Sequence, residues 1–301
     1  MNLKKIYQKI FNPYYFNWKD EGNVDALLKK MNSYASKNSN YLNTYKNEFD
    51  YLNNNSSKKN MHSYVFPYPF VEKYNENDIE VFEDKSNGLF YVLHDGKKLY
   101  FKRDYNSVEL VKNVYNCSLI EQDKESPHCY EDYQFKVEEN DVLLDVGAAE
   151  ANFALANIEK VKKVYLFETE PQWIEALECT FKPWKDKVEI INKYVSNNNN
   201  ENNITIESFF KNTDVNFIKL DIEGEEINVI SSSIDFIKKQ KKVKIAACTY
   251  HNNNDSKILS DLFTTHKIPY SHSQNNMLFI YDKLTPPYFR KGMIRAFHNL
   301  V

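Results

Sequence analysis

Residues 142–147, Val-Leu-Leu-Asp-Val-Gly, decide the predicted fold. A short apolar run that ends in Asp and Gly is typical of a buried strand that leads into a tight turn. Four more apolar runs follow, at residues 164–167, 188–191, 216–220 and 243–247, and helical patterns lie between them. Strands that alternate with helices need right-handed crossovers. The pattern therefore predicts an α/β protein with a mostly parallel sheet.

Two features predict what flanks this sheet. Residues 268–270 and 277–280 form a last apolar pair, joined by a polar loop that is too short for a helical crossover. This pair predicts an antiparallel hairpin at the end of the sheet. Upstream, Asp95-Gly96 between two β-rich runs indicates a hairpin turn, preceded by weakly periodic helical segments. We expect residues 1–115 to form an N-terminal helical and β-hairpin extension and residues 116–301 to form the sheet domain.

The composition of the chain excludes several broad classes of protein. Hydrophobic residues make up 42% of the 301, which excludes a wholly disordered chain. The net charge of −3 leaves no excess of positive charge for a general nucleic-acid binder. The four cysteines form no CxxC pair, so neither a zinc site nor a disulfide framework is indicated. No apolar run approaches about 18 residues, and Met1–Lys19 lacks the apolar core of a signal peptide. We expect a cytoplasmic protein without a membrane span.

The residues that follow the strands indicate a ligand site, because ligands of such sheets bind outside the carboxyl ends of the strands. Gly147 and Ala148, after the first strand, are small enough for a ligand to approach the backbone. Glu168, about 20 positions further on, suits two ribose hydroxyls because a carboxylate accepts two hydrogen bonds. The plainer alternatives are an ordinary turn at Gly147 and a solvated charge at Glu168. The glycines of a dinucleotide fingerprint are absent, which counts against a NAD oxidoreductase.

Asp221, Glu223 and His251 are the predicted metal-binding residues, and Asp221 and His251 the predicted catalytic ones. Asp221 and Glu223 flank one apolar residue, so both would point the same way on a strand. His251 follows the neighbouring strand. Two carboxylates and an imidazole suit Mg²⁺ or Mn²⁺, whereas without a metal His251 would act as a general base. The plainer alternative is a helix N-cap with an acidic first turn and a structural histidine.

These segments together resemble the FkbM family of S-adenosylmethionine-dependent methyltransferases over about residues 120–295. The predicted sheet also has the layout of class I methyltransferases. The matching stretches are residues 144–148, 165–168, 217–226 and 287–290, and Lys-x-Asp-x-Glu-Gly-x-Glu at 219–226 is the most specific. The resemblance implies S-adenosylmethionine as cofactor and methyl transfer to a hydroxyl. It favours a nucleotide-linked or glycan sugar in surface polysaccharide assembly, such as a capsule.

Further site residues are predicted on this basis. The cofactor-binding candidates are Tyr130, Asp145, Gly147, Ala148, Glu168, Ser196 and Lys219. Arg290 and Arg295 could grip an acceptor phosphate with forked donors, and His128 would contribute from the N-terminal side. For these three residues, packing into a loop or surface is the plainer alternative. The sequence departs from the family at Ala151, where a second glycine is usual. The methyl group of Ala151 would contact either the cofactor or the residues packed against the following helix.

Two other functions stay open at this point. A metal-dependent glycosyltransferase would use Asp221 and Glu223 to hold a metal on a nucleotide diphosphate, but it would leave Gly147 and Glu168 without a role. A non-catalytic scaffold would have kept the fold after losing glycine at position 151. The leading prediction remains an O-methyltransferase that acts on a small molecule, a sugar or nucleotide sugar, and has no nucleic-acid partner. A homodimer is the predicted assembly.

Overall fold

The computed structural model describes residues 16–17, 22–55, 61–211, 213–280 and 283–299. The expectation for Met1–Lys19 therefore lies outside the described residues, except at Phe16–Asn17. In chain order the strands are β1 (Phe16–Asn17), β2 (Phe82–Asp84), β3 (Leu89–His94), β4 (Lys97–Tyr100), β5 (Val142–Val146), β6 (Lys163–Phe167), β7 (Val188–Ile191), β8 (Tyr194–Val195), β9 (Asn203–Ile204), β10 (Phe217–Leu220), β11 (Lys242–Cys248), β12 (Tyr270–His272), β13 (Met277–Leu278), β14 (Lys283–Leu284), β15 (Phe289–Arg290) and β16 (Met293–Asn299).

The helices after residue 107 alternate with the sheet strands, as predicted, and the earlier helices belong to the N-terminal extension. In chain order the helices are α1 (Val24–Ala35), α2 (Ser39–Thr44), α3 (Lys46–Asn55), α4 (Met61–Val65), α5 (Val108–Glu121), α6 (Asn152–Asn157), α7 (Pro171–Thr180), α8 (Ile206–Phe209), α9 (Glu226–Ser232), α10 (Ile234–Lys239) and α11 (Asp255–Thr265). Short 3₁₀ turns lie at Pro69–Lys73, Glu76–Asp78 and Lys182–Trp184. Within the described ranges, no helix combines the length and the apolar character that crossing a membrane requires.

The central sheet of the described residues has seven strands in the order β12-β16-β11-β10-β5-β6-β7. Strands β5, β6, β7, β10 and β11 run parallel, and β16 runs antiparallel to both its neighbours, β11 and β12. Side chains of β5 alternate between two cores, with Leu143 in one and Leu144 and Val146 in the other. Both faces are therefore buried, as in doubly covered parallel sheets. This is the class I methyltransferase fold that the sequence predicts.

The antiparallel pair at the end of the sheet does not use the predicted partner. β12 lies close to the predicted residues 268–270, but it pairs with β16. The predicted second strand, 277–280, contributes only Met277–Leu278, which pairs with Phe289–Arg290 in a separate ribbon. β16 takes this position in the sheet because it forms more backbone pairs than residues 277–280 do. β16 forms a seven-residue ladder with β11 and buries its first four residues, so it is the strand that extends the sheet.

The N-terminal extension combines helices with a β-hairpin, as predicted. Helix α1 begins after Asn23, whose side chain accepts hydrogen bonds from the N–H groups of Asp25 (2.8 Å) and Ala26 (3.2 Å). At the hairpin, Asp95 and Gly96 both have positive φ, 49° and 75°. Two successive residues of this kind match the tight turn that joins twisted strands such as β3 and β4.

One hydrophobic core runs through both parts of the chain. It contains Phe16 and Leu27 from the extension and Leu143 and Leu166 from the sheet. The predicted boundary between residues 115 and 116 falls inside helix α5, which starts after the Ser107 cap and continues to Glu121. The division into 1–115 and 116–301 remains a prediction.

Candidate active site

A crevice of 740 Å³ lies at the carboxyl ends of β5, β6 and β10. The strand order reverses between β5 and β10, and open α/β sheets bind ligands outside such a switch point. Five of the predicted site residues line the crevice: Gly147, Glu168, Ser196, Asp221 and Glu223. Its volume falls in the range of about 300–1,000 Å³ that is usual for small-ligand pockets.

Glu168 anchors the turn that forms one wall of the crevice. Its carboxylate accepts hydrogen bonds from the N–H groups of Ala149 (2.9 Å), Thr169 (2.6 Å) and Glu170 (2.9 Å). A carboxylate has about four acceptor positions, so capacity for a ligand hydroxyl remains. The side chain is therefore both a structural clasp and a candidate ligand contact.

Lys219 and Asp145 lie beneath the crevice and are buried. Lys219 Nζ is 2.9 Å from Asp145 Oδ1 and donates a hydrogen bond to the Gly147 carbonyl oxygen at 2.6 Å. Burial raises the pKa of Asp145 to about 6 although Lys219 opposes this. Burial also works against the charge of Lys219, but Asp145 and Asp221 outweigh it and hold the pKa of Lys219 above its ordinary value. These two predicted cofactor residues support the turn from below, and Ala148 beside them is buried as well.

Glycine at position 147 is required by the protein itself. Gly147 has φ +74°, and a Cβ there would lie 2.0 Å from the carbonyl oxygen of Asp221. The turns after β5 and β10 thus meet backbone against backbone. Ala151, at the usual place of a second glycine, adopts φ +56° and is buried in the core. Of the two alternatives for its methyl group, the structure shows protein packing.

Asp221 is the centre of a buried polar network. The hydroxyl of Tyr250 donates to its Oδ1 and that of Tyr130 to its Oδ2, each at 3.0 Å. The Nε2 atoms of His128 and His251 each lie 3.6 Å from the same carboxylate. With 20% of its side chain exposed, Asp221 is the member of this group that reaches the crevice.

The network holds Asp221 ionised. Burial opposes the charge of Asp221, but His128 foremost and then Lys219 outweigh it, so its pKa lies well below the ordinary range. Burial lowers the pKa of His251, yet Glu226 and Asp221 reverse this and raise it above the usual value. The pKa of His128 is raised in the same way, by Glu121 and Asp221 against burial.

The second carboxylate of the group that contains Asp221 and His251 is Glu226 rather than the predicted Glu223. One ligand atom from each of Asp221, Glu226 and His251 lies within 4.8 Å of the others, and Glu226 Oε1 is 3.3 Å from His251 Nδ1. Strand β10 ends at Leu220, so the alternation that paired Asp221 with Glu223 does not extend that far. Glu223 instead adopts φ +58° and is exposed. A second group that could hold a metal joins His128, Asp221 and Cys248.

Arg290 and Arg295, predicted to grip an acceptor phosphate, bind the protein itself. Arg290 donates to the His251 carbonyl oxygen at 2.7 Å and to Asn253 Oδ1 at 2.8 Å. Arg295 pairs with Asp132 at 2.8 Å and donates to the Cys129 carbonyl oxygen at 2.7 Å. Each arginine is 7% exposed, and neither lines the crevice. Both tie loops to the sheet, which corrects the expectation from sequence.

Three aromatic residues complete the surroundings of Asp221. His128 and Tyr130 are buried behind it rather than exposed to the crevice, and His128 Nε2 lies 3.2 Å from the hydroxyl of Tyr250. Tyr250 and Glu226 were not among the predicted site residues. The signal for Tyr250 was its position directly before His251, and Glu226 closes the Lys-x-Asp-x-Glu-Gly-x-Glu segment.

Comparisons with known proteins find similarity over part of the chain. A sequence model of the Methyltransferase FkbM domain matches residues 194–265. Methyltransferase FkbM from Methylobacillus flagellatus KT is similar in structure, with 16% identity, TM-score 0.44, and 64% of this chain covered. This chain spans about half, 54%, of that protein. Precorrin-6y C5,15-methyltransferase from Geobacter metallireducens GS-15 is similar at 14% identity and TM-score 0.38, with 54% of this chain and 84% of that chain covered. No curated protein sequence matches the chain.

The strand order and the position of the crevice define the class I methyltransferase fold. Within that class, the domain match confirms the predicted resemblance to the FkbM family, and it includes the Asp221, Glu226 and His251 positions.

Proposed function

We propose that the protein is an S-adenosylmethionine-dependent O-methyltransferase that acts on a sugar hydroxyl, in the assembly of a surface polysaccharide or a related glycan. The observation that carries this proposal is that Asp221 reaches the same crevice as Glu168 and Ser196. One wall offers a carboxylate suited to ribose hydroxyls, and another offers a carboxylate suited to an incoming alcohol. A donor and an acceptor would therefore meet in one cavity.

The residues beside the turn after β5 would hold the cofactor. Gly147, Glu168 and Ser196 line the crevice there, and their donor and acceptor types fit an adenosyl ribose. When bound, S-adenosylmethionine supplies an electrophilic methyl group for an in-line displacement. Lys219 and Asp145 would act indirectly, because they fix the backbone of the turn from beneath.

Asp221 would orient the acceptor and stabilise the positive charge that develops on the attacking oxygen. Tyr130 and Tyr250 fix its carboxylate in advance, so little reorganisation is needed during the reaction. His251 does not line the crevice, so the proton would pass along the Asp221 carboxylate to a neutral His251, whose Nε2 is 3.6 Å from Asp221. In the alternative version, Asp221, Glu226 and His251 would hold Mg²⁺ or Mn²⁺. The buried Glu226 Oε2 has no hydrogen-bond partner among the described residues, so it is available as a metal ligand.

Calorimetric titration of S-adenosylmethionine tests the cofactor half of this proposal. We expect binding to wild-type protein and a loss of about tenfold in affinity for Glu168→Gln, because one charge-assisted acceptor is removed. Glu189→Gln, a charge-matched change on strand β7 outside the crevice, should bind as the wild type does. Melting curves of the three proteins separate an effect on binding from an effect on the turn. Absence of binding to the folded wild type would contradict the proposed function.

Metal removal separates the two versions of proton removal. Exhaustive treatment with a chelator should leave turnover intact if His251 acts alone. If a divalent ion takes part, turnover should fall and return on addition of Mg²⁺ or Mn²⁺, and Glu226→Gln should prevent that recovery.

A further inference from the structure

The lining of the crevice carries an excess of negative charge. Its acidic side chains are Glu168, Glu170, Asp221, Glu223 and Glu225. Among the described residues, Lys193 is the one cationic side chain that lines the crevice. Lys102 neutralises Glu170 through contacts of 2.8 Å and 2.9 Å. Glu223 and Glu225 are exposed, and they lie on the same loop as Asp221, where an acceptor would approach.

The arginines of this region do not offset that charge for a ligand. Arg290 is committed to the His251 carbonyl oxygen and Asn253, and Arg295 to Asp132 and the Cys129 carbonyl oxygen. Withdrawing either guanidinium toward a phosphate would leave buried carbonyl oxygens without their donors, which is unfavourable. A diphosphate placed beside Asp221 would instead meet carboxylates of its own sign.

We infer that the acceptor is an uncharged polyhydroxyl compound, a sugar without phosphate or carboxylate near the methylated hydroxyl, rather than a nucleotide-linked sugar. This inference rests on the proposed function. Like charges brought together oppose binding, and the effect is strongest at Asp221, whose side chain is only 20% exposed. The same carboxylates favour a cationic methyl donor, so the crevice selects a positive donor and a neutral acceptor together.

A paired set of acceptors tests this inference in the intact protein. Labelled S-adenosylmethionine is supplied with sugars offered both as methyl glycosides and as the corresponding UDP-sugars. In parallel, UDP and uridine are titrated by calorimetry into the protein saturated with S-adenosylhomocysteine, with chelator and again with Mn²⁺. We expect label to enter methyl glycosides at least about tenfold faster than their UDP partners, and UDP to show no binding below about 1 mM.

Charge variants sharpen the result. The double change Glu223→Lys with Glu225→Lys should create measurable UDP binding, whereas Glu178→Lys with Glu189→Lys, outside the crevice, should not. Preferential labelling of UDP-sugars, or micromolar binding of UDP to the wild type with or without Mn²⁺, would overturn the inference. If nothing is labelled, the titration decides. Failure of S-adenosylmethionine itself to bind would reject the proposed function instead, so the two failures are distinguishable.

Discussion

The segment 219–226 contains two kinds of acidic residue, and the protein treats them differently. Asp221 and Glu226 are held by fixed partners: two tyrosine hydroxyls on Asp221, and the Ile222 N–H at 2.8 Å on Glu226. Glu223 and Glu225 are exposed at the mouth of the crevice. A single short motif therefore supplies both a rigid inner pair and a solvated outer pair. In the proposed function, the inner pair would act in the chemistry, and the outer pair would set the charge that an entering ligand meets.

The largest expected effect comes from the inner pair. Asp221→Asn keeps the shape of the side chain but removes its charge, so turnover should fall by about 10³-fold if the carboxylate stabilises the reacting oxygen. Affinity for S-adenosylmethionine should stay within about threefold, because the predicted ribose contact is Glu168. Single-turnover assays and calorimetry measure the two quantities. Asp235→Asn, exposed on helix α10, is the control, and equal turnover in both variants would deny Asp221 a chemical role.

The next effect tests the contact that brings the two turns together. Gly147→Ala should lower the free energy of unfolding by about 3 kcal/mol, since its Cβ would lie 2.0 Å from the Asp221 carbonyl oxygen. Gly96→Ala is the matched control. Gly96 has nearly the same φ, +75°, but nothing lies within 4 Å of an added Cβ, so only the backbone strain of about 1 kcal/mol remains. Denaturant titrations that give equal losses would show that φ alone, and not the close approach, demands glycine.

A smaller effect, of opposite sign, concerns the residue that departs from the family. Ala151 adopts φ +56°, so Ala151→Gly should raise the free energy of unfolding by about 1 kcal/mol as the strain is relieved. Ala154→Gly, in helix α6 and equally buried, should lower it by about 1 kcal/mol or more. Thermal melting of both variants is the measurement. Destabilisation by Ala151→Gly would mean that the methyl group contributes more by packing than the backbone loses by strain.

The smallest expected effect lies away from the crevice and concerns the loss of stability at acid pH, which we assign in part to Glu138. Hydrogen bonds from Lys242 and Lys244 lower the pKa of Glu138 to about 2 from 4.5. A lowered pKa means that Glu138 stabilises the fold above about pH 4.5 and loses this contribution as the pH falls toward 2. The difference in stability between wild type and Glu138→Gln should therefore be largest at neutral pH and shrink on acidification. A difference that grows toward low pH would contradict this assignment.

The parallel part of the sheet was predictable because each strand is a short apolar run with turn residues after it. Residues 142–146 and 217–220, for example, emerge as β5 and β10 almost as predicted. The loop after β10 was not predictable in the same way. Glu223 and Gly224 both take positive φ, which turns the chain so that Glu226, not Glu223, reaches His251. Such a reversal depends on backbone conformations that residue periodicity does not encode.

Arginine shows a second limit of sequence reasoning. The forked donors of Arg290 and Arg295 favoured ligand contacts, but Arg295 is a strand residue whose neighbours in β16 are buried. Its partners Cys129 and Asp132 are more than 150 positions away in sequence. A contact at that distance becomes visible only once the sheet order is known.

Strand β16 imposes an order on assembly. It separates β11 from β12, so β12 joins the sheet only through a strand that comes later in the chain. The earlier segment therefore has no partner in this sheet until β16 is available to pair with it. Pairing over such sequence separations is slow because a long loop closes before any contact compensates the lost entropy. As long as β16 is not in place, the β11 edge is an unpaired strand edge, the kind of surface to which a second copy of the chain can add a strand.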